Sequence, residues 1–183
     1  MMRATQAAAL LLLFDQEAHM GAHGLDKENH LDTTPNPRRV QQVEMTADLR
    51  RSLLADHGAV SYKAFAQLCG SRTSAVRAWV ARVSGRGCLF TVEDNGRILI
   101  PRVQLDTNGN LNEDVAALVQ PLFQAGLDSW SLWAWLTSPT GRLNGEIPAE
   151  VAKEDPARAR KAAELYAADI ERSRDTAAPV LQP

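Results

Sequence analysis

A mostly α fold is predicted: a helix-turn-helix with a β-hairpin wing, followed by a small helical domain. Three observations predict it. From Thr46 onward, apolar residues recur at helical spacing through most of the chain. The main switch to a period of two, between Cys88 and Ile100, is centred on Asn95-Gly96. Charge also reverses along the chain. Residues 46–106 carry 9 basic and 5 acidic side chains, a net of +4, and residues 107–183 carry 7 and 11, a net of -4. A basic middle and an acidic end suggest two modules with different partners.

The elements follow in order. Residues 1–45 hold 4 basic and 6 acidic side chains. They lack a sustained period from 15 to 45, where "TTPNPRR" punctuates them, and read as a disordered or accessory tail. The apolar run Ala7 to Phe14 is short for a secretory signal and far too short for a membrane span. With 2 cysteines, Cys69 and Cys88, and no CxxC pair, both are expected to be reduced and buried. A cytoplasmic protein without a membrane partner is expected. Thr46 can cap a helix with Leu49, Leu53 and Leu54 on one face, ended by Gly58. Ser61 can cap the next, with Phe65, Ala66, Leu68 and Cys69 as its apolar positions. Gly70 breaks it. Ser71 or Thr73 can cap a third, with Val76, Trp79, Val80 and Val83 inward. Two β-rich runs, Cys88 to Glu93 and Arg97 to Ile100, flank a turn that suits type I′ geometry. After "DTNGN" the chain is helical again, with a break near Pro121. Asp128 caps a Trp-rich helix that stops before Pro139. Pro148 starts a short helix over Ile147 to Lys153. Asp155-Pro156 starts the last one, with Ala159, Ala162, Ala163, Tyr166 and Ile170 on one stripe.

The helix-turn-helix rests on spacing. With Tyr62 first, Ala66 falls fifth, Gly70 ninth, Val76 fifteenth and Trp79 eighteenth. The motif wants a small residue, a Gly, a β-branched residue and a bulky apolar residue at those places. The second helix then turns Arg72, Thr73, Ser74, Arg77 and Arg82 outward. Hydroxyls and arginines at a helix N-terminus suit phosphates and base edges in a major groove. Arg97 on the hairpin, with Arg86 and Arg102, adds phosphate contacts. The plain alternative is a helical hairpin with a solvated basic face.

Catalytic signatures are absent. There is no P-loop, no GxGxxG after a strand, no HExxH and no Gly-x-Ser-x-Gly. His19 and His23 lack further ligands nearby, so no metal is expected. Scattered carboxylates such as Glu150 and Asp155 sit where helices start. No catalytic residue and no cofactor are expected. Trp130, Trp133 and Trp135 crowd one short helix. Either all are structural, or one ring faces a partner.

The stretch "LDSWSLWAWLTSPTGRLNGEIPAEVAKEDPARARKAA" resembles the C-terminal toxin-binding region of Xre-, MbcA- and ParS-type antitoxins. An aromatic-rich helix, a Pro- and Gly-bearing loop, a short helix and a final helix make up that pattern. Thr137, Pro139, Leu143, Gly145, Pro148 and Val151 match it; Thr140-Gly141 departs, and Val151-Ala152 stands where a Leu pair is usual. The resemblance spans about residues 110–173. It implies an antitoxin that neutralises a co-encoded toxin by contact, often a RES-type enzyme that destroys NAD, and that regulates its own operator. It also implies a partner surface of Trp133, Pro139, Arg142, Leu143, Asn144 and Pro148. Arg142 and Asn144 would point outward and Leu143 inward. The competing reading is a stand-alone or excisionase-like regulator whose C-terminal helices dimerise. The expected divisions are a tail over 1–45, a DNA-binding domain over 46–106, a toxin-binding domain over 107–174 and a flexible end over 175–183. A homodimer or a larger toxin–antitoxin complex is expected.

Overall fold

The computed structural model describes residues 37–177, with side chains from Thr46 to Thr176. Most of the expected tail and the end from residue 178 lie outside the described residues. Helix α1 (Pro37–His57) leads into strand β1 (Ala59–Ser61), then α2 (Tyr62–Leu68) and α3 (Thr73–Ser84). Strands β2 (Val92–Asp94) and β3 (Arg97–Pro101) follow, then a 3-10 turn over Arg102–Gln104. Four more helices come next: α4 (Glu113–Gln124), α5 (Ser129–Thr137), α6 (Pro148–Glu154) and α7 (Pro156–Ala177). A second 3-10 turn, Gly141–Leu143, sits between α5 and α6. The fold is therefore mostly helical with one small antiparallel sheet, ordered β1-β3-β2. No helix among the described residues is long and apolar enough to cross a membrane.

Local chemistry explains most boundaries. The Ser61 hydroxyl accepts from Ala64 N at 3.2 Å and starts α2. Asn112 accepts from Asp114 N and Val115 N to start α4. Asp128 accepts from Trp130 N and Ser131 N to start α5. Asp155 accepts from Arg158 N at 3.0 Å, and Pro156 takes the first position of α7, where its missing N–H costs nothing. Asn95 and Gly96 both have positive φ, 49° and 72°, as a type I′ turn requires.

Several expectations are corrected. Helix α1 begins at Pro37, well before Thr46. Its start falls in the polar stretch read as a tail, and Pro at a first helical position was the available signal. Arg72, not Ser71 or Thr73, occupies the N-cap of α3, and its side chain makes no capping bond. Helix α4 runs unbroken through Pro121. Only three residues follow Pro121 in the helix, and the burial of Leu118, Val119 and Leu122 at 0% exposure outweighs one lost backbone bond. Strand β1 was not expected; Val60 pairs with Ile100 and Ser61 with Leu99. The first hairpin strand is shorter than expected, because the side chain of Gln104 takes the backbone N–H and C=O of Phe90. Neither cysteine is buried: Cys69 is exposed and Cys88 half-buried. Leu68 is also exposed.

Two apolar cores result. The smaller holds Val60, Phe65, Ala66, Val76, Val80, Val83, Leu89 and Ile100. The larger is built from α4 to α7 but includes Leu53, Phe90 and Val92 from the first half. Arg50 of α1 lies 5.2 Å from the centre of the Trp130 ring, a cation–π contact that ties α1 to α5. The two halves thus share a core across the expected boundary at residues 106 and 107.

Candidate nucleic-acid interface

Helices α2 and α3 meet through a tight turn. Gly70 has φ 59°, the left-handed geometry that closes a helix, and Ser71 N donates back to Ala66 O at 2.8 Å. Ala66 is buried at the crossing, where its small side chain lets the helices approach. Val76, Val80 and Val83 face inward along α3, and Trp79 packs on Phe65 with ring centres 5.7 Å apart. The opposite side of α3 faces solvent.

That side carries the expected basic residues. Arg72, Ser74, Arg77 and Arg82 are exposed, and Thr73 is half-buried. The Arg77 guanidinium lies 5.9 Å from the Tyr62 ring centre, which limits its motion. Tyr62 is a contributor the sequence reading missed. Arg97 is exposed where the hairpin turn enters β3. Arg86 and Arg102 are exposed as well.

Ion pairing divides the molecule. Of the six ion pairs among the described residues, five join side chains between positions 142 and 172, and the sixth joins Arg51 to Asp48. None involves Arg72, Arg77, Arg82, Arg86, Arg97 or Arg102. The cations of the C-terminal half are therefore largely neutralised by internal carboxylates. Those of α3 and the hairpin remain available to an external anion, and no side chain caps the start of α3.

The second expected surface is the loop between α5 and α6. It is closed by Thr140 N donating to Glu146 O at 3.1 Å and Gly145 N donating to Thr140 O at 2.9 Å. Arg158 of α7 donates to Leu143 O at 3.1 Å and pairs with Glu146. The Glu146 carboxylate holds the Arg158 guanidinium more firmly protonated than usual. Arg158 was not anticipated as a clamp, because its partners lie 12 and 15 residues away in the chain.

The structure redistributes the residues expected to meet a partner. Trp133 and Trp135 are fully buried, at 0% and 1% exposure, and Trp130 is buried at 9%, so all three rings belong to the core. Trp133 therefore presents no surface to a partner. Leu143 at 1% and Pro148 are buried too, and Pro139 is half-buried. These three shape the loop from within. Arg142 is exposed but pairs with Asp169 of α7. Asn144 is exposed in the left-handed region at φ 58°. Asn144→Gly should consequently leave the denaturation midpoint almost unchanged. Asn144→Ala should lower stability by about 1 kcal/mol, since a Cβ without the amide is disfavoured there.

No family model matches the chain, and no curated protein matches it. Among solved structures, the NMR structure of Rv2175c is similar, at 21% identity over 67% of this chain and 83% of that chain, with a TM-score of 0.42.

Proposed function

We propose that this protein is a DNA-binding regulator that contacts duplex DNA through α3 and the β2–β3 hairpin, acting as a helix-turn-helix and its wing. The observation that carries this reading is the set of unpaired arginines on α3 and the hairpin, in a molecule whose other half pairs most of its own. Arg72 and the start of α3 suit a phosphate; Ser74, Arg77 and Arg82 suit base edges; Arg97 suits the flanking backbone. Arg77→Ala should weaken specific binding by about 1–3 kcal/mol. Arg97→Ala should weaken all sequences alike and reduce the salt slope by about one phosphate. Fluorescence anisotropy on a cognate and a scrambled duplex separates the two. A loss for Arg77→Ala that is the same on both duplexes would remove Arg77 from base readout.

In the same reading the C-terminal half neutralises a co-encoded toxin, as the resemblance to antitoxins suggests, and the protein regulates its own operator. The clamped 140–147 loop supports this, because a preorganised loop meets a partner at low entropic cost. Its exposed positions are Gly141, Arg142, Asn144, Gly145 and Glu146, of which Arg142 and Glu146 are held in ion pairs with α7. A Cβ at Gly141 would meet nothing within 4 Å, and its φ is not left-handed. Gly141→Trp should therefore fold normally, keep DNA binding and abolish growth rescue from the neighbouring toxin. Full rescue by Gly141→Trp would move the partner surface off this loop and favour a stand-alone regulator whose C-terminal half only dimerises.

A further inference from the structure

Tyr62 is the first residue of α2, and the fold fixes it from two sides. Ser61, just before it, caps the helix and pairs with Leu99 of β3. The half-buried Tyr62 ring packs against the smaller core, which holds Phe65, Val76 and Val80. Close packing of this kind keeps a side chain in one rotamer. From the neighbouring helix α3, the Arg77 guanidinium lies over that ring, 5.9 Å from its centre. An arginine within about 6 Å of an aromatic centre is attracted to the ring face.

Nothing else restrains Arg77. Among the described residues its guanidinium forms no ion pair and donates no hydrogen bond. Of the exposed arginines on α3 and around the hairpin, it alone lies over an aromatic ring; the other such contact among the described residues is Arg50 on Trp130. The difference matters for recognition. A side chain that grips one target loses rotamer freedom, and a ring that already holds it lowers that cost. Resting on a ring leaves the N–H edge of the guanidinium open. That edge can donate two bonds to the two acceptors on the major-groove edge of guanine. Resting on the DNA-binding reading above, we infer that Tyr62 is a positioning residue that presets Arg77 to read a guanine in the major groove.

Fluorescence anisotropy of the full chain, on the duplex upstream of its own gene and on a scrambled duplex, tests this. Tyr62→Leu should cut the preference for the first duplex by about two- to fivefold and leave affinity for the scrambled one unchanged. Tyr62→Phe keeps the ring and should keep the preference. In an Arg77→Ala background, Tyr62→Leu should change nothing further, because the two residues act as one unit. Replacing guanine by deazaguanine, which lacks the ring-nitrogen acceptor, should weaken the unsubstituted protein more than Arg77→Ala. NMR relaxation of the unsubstituted protein without DNA reads the same restraint with no change that could disturb folding. There the Arg77 Nε–Hε group should be more ordered than those of Arg72, Arg82 and Arg97. An Arg77 group as mobile as the others would overturn the inference while DNA binding stands. So would a preference that Tyr62→Leu leaves intact, an equal loss from Tyr62→Leu when Arg77 is absent, or equal affinity of the unsubstituted protein for both duplexes. Failure of the unsubstituted protein to bind either duplex would remove the DNA-binding reading and this inference with it.

Discussion

Trp133→Ala is expected to lower the unfolding free energy by about 3–5 kcal/mol. The ring is at 0% exposure, stacks on Trp130 with centres 5.6 Å apart, and sits inside the core that α4 to α7 share with Leu53. The loss is a large part of the 5–15 kcal/mol typical of a domain. Its consequence for function is specific. A growth assay would score Trp133→Ala as a failed antitoxin, yet the failure would be one of folding, visible as a lowered melting temperature and lost near-UV dichroism. An unchanged melting temperature would take Trp133 out of the core and return it to the candidate surface.

Gln104→Leu is the second large effect, at about 2–5 kcal/mol. Gln104 is at 1% exposure. Its Oε1 accepts from Phe90 N at 2.8 Å and its Nε2 donates to Phe90 O at 2.9 Å. The side chain thereby replaces a missing strand for Phe90, itself at 2% exposure. Its own carbonyl accepts from Asn112 N at 2.9 Å, which joins the sheet region to the start of α4. Leucine fills the space but leaves a buried donor and a buried acceptor of Phe90 without partners, each costing about 1–3 kcal/mol. Gln104→Glu keeps the acceptor for Phe90 N but sets a second acceptor against Phe90 O, so it should destabilise as well. Urea denaturation would measure both. A Leu variant as stable as the parent would mean that Phe90 finds other partners.

What could be read from the sequence was local. Ser61, Asp128 and Asp155-Pro156 were legible because a cap needs only its own helix. Asn95-Gly96 was legible because few other pairs accept two positive φ values. Strand β1 was not: three residues, Ala59–Ser61, leave no period to detect, and their partner lies 40 residues on. The burial of Gln104, the Arg158 clamp and the Arg142–Asp169 pair were hidden for the same reason, since each depends on a residue brought close only by folding. The basic residues of α3 were legible as exposed because Val76, Val80 and Val83 mark the opposite face. That they lack carboxylate partners, while Arg158, Arg160 and Arg172 of α7 have them, required the structure.

The central claim, DNA binding through these arginines, is most directly tested by one measurement: affinity for the duplex upstream of its own gene as a function of salt. The logarithm of the binding constant should fall linearly with the logarithm of salt concentration, at a slope of about -0.9 per phosphate neutralised. Replacing Arg72, Arg82 and Arg97 together by Ala should flatten that slope by about 2–3 while the melting temperature holds, because none of the three takes part in an ion pair. Binding that is absent at about 50 mM salt, or a slope that the triple replacement leaves unchanged, would contradict the account.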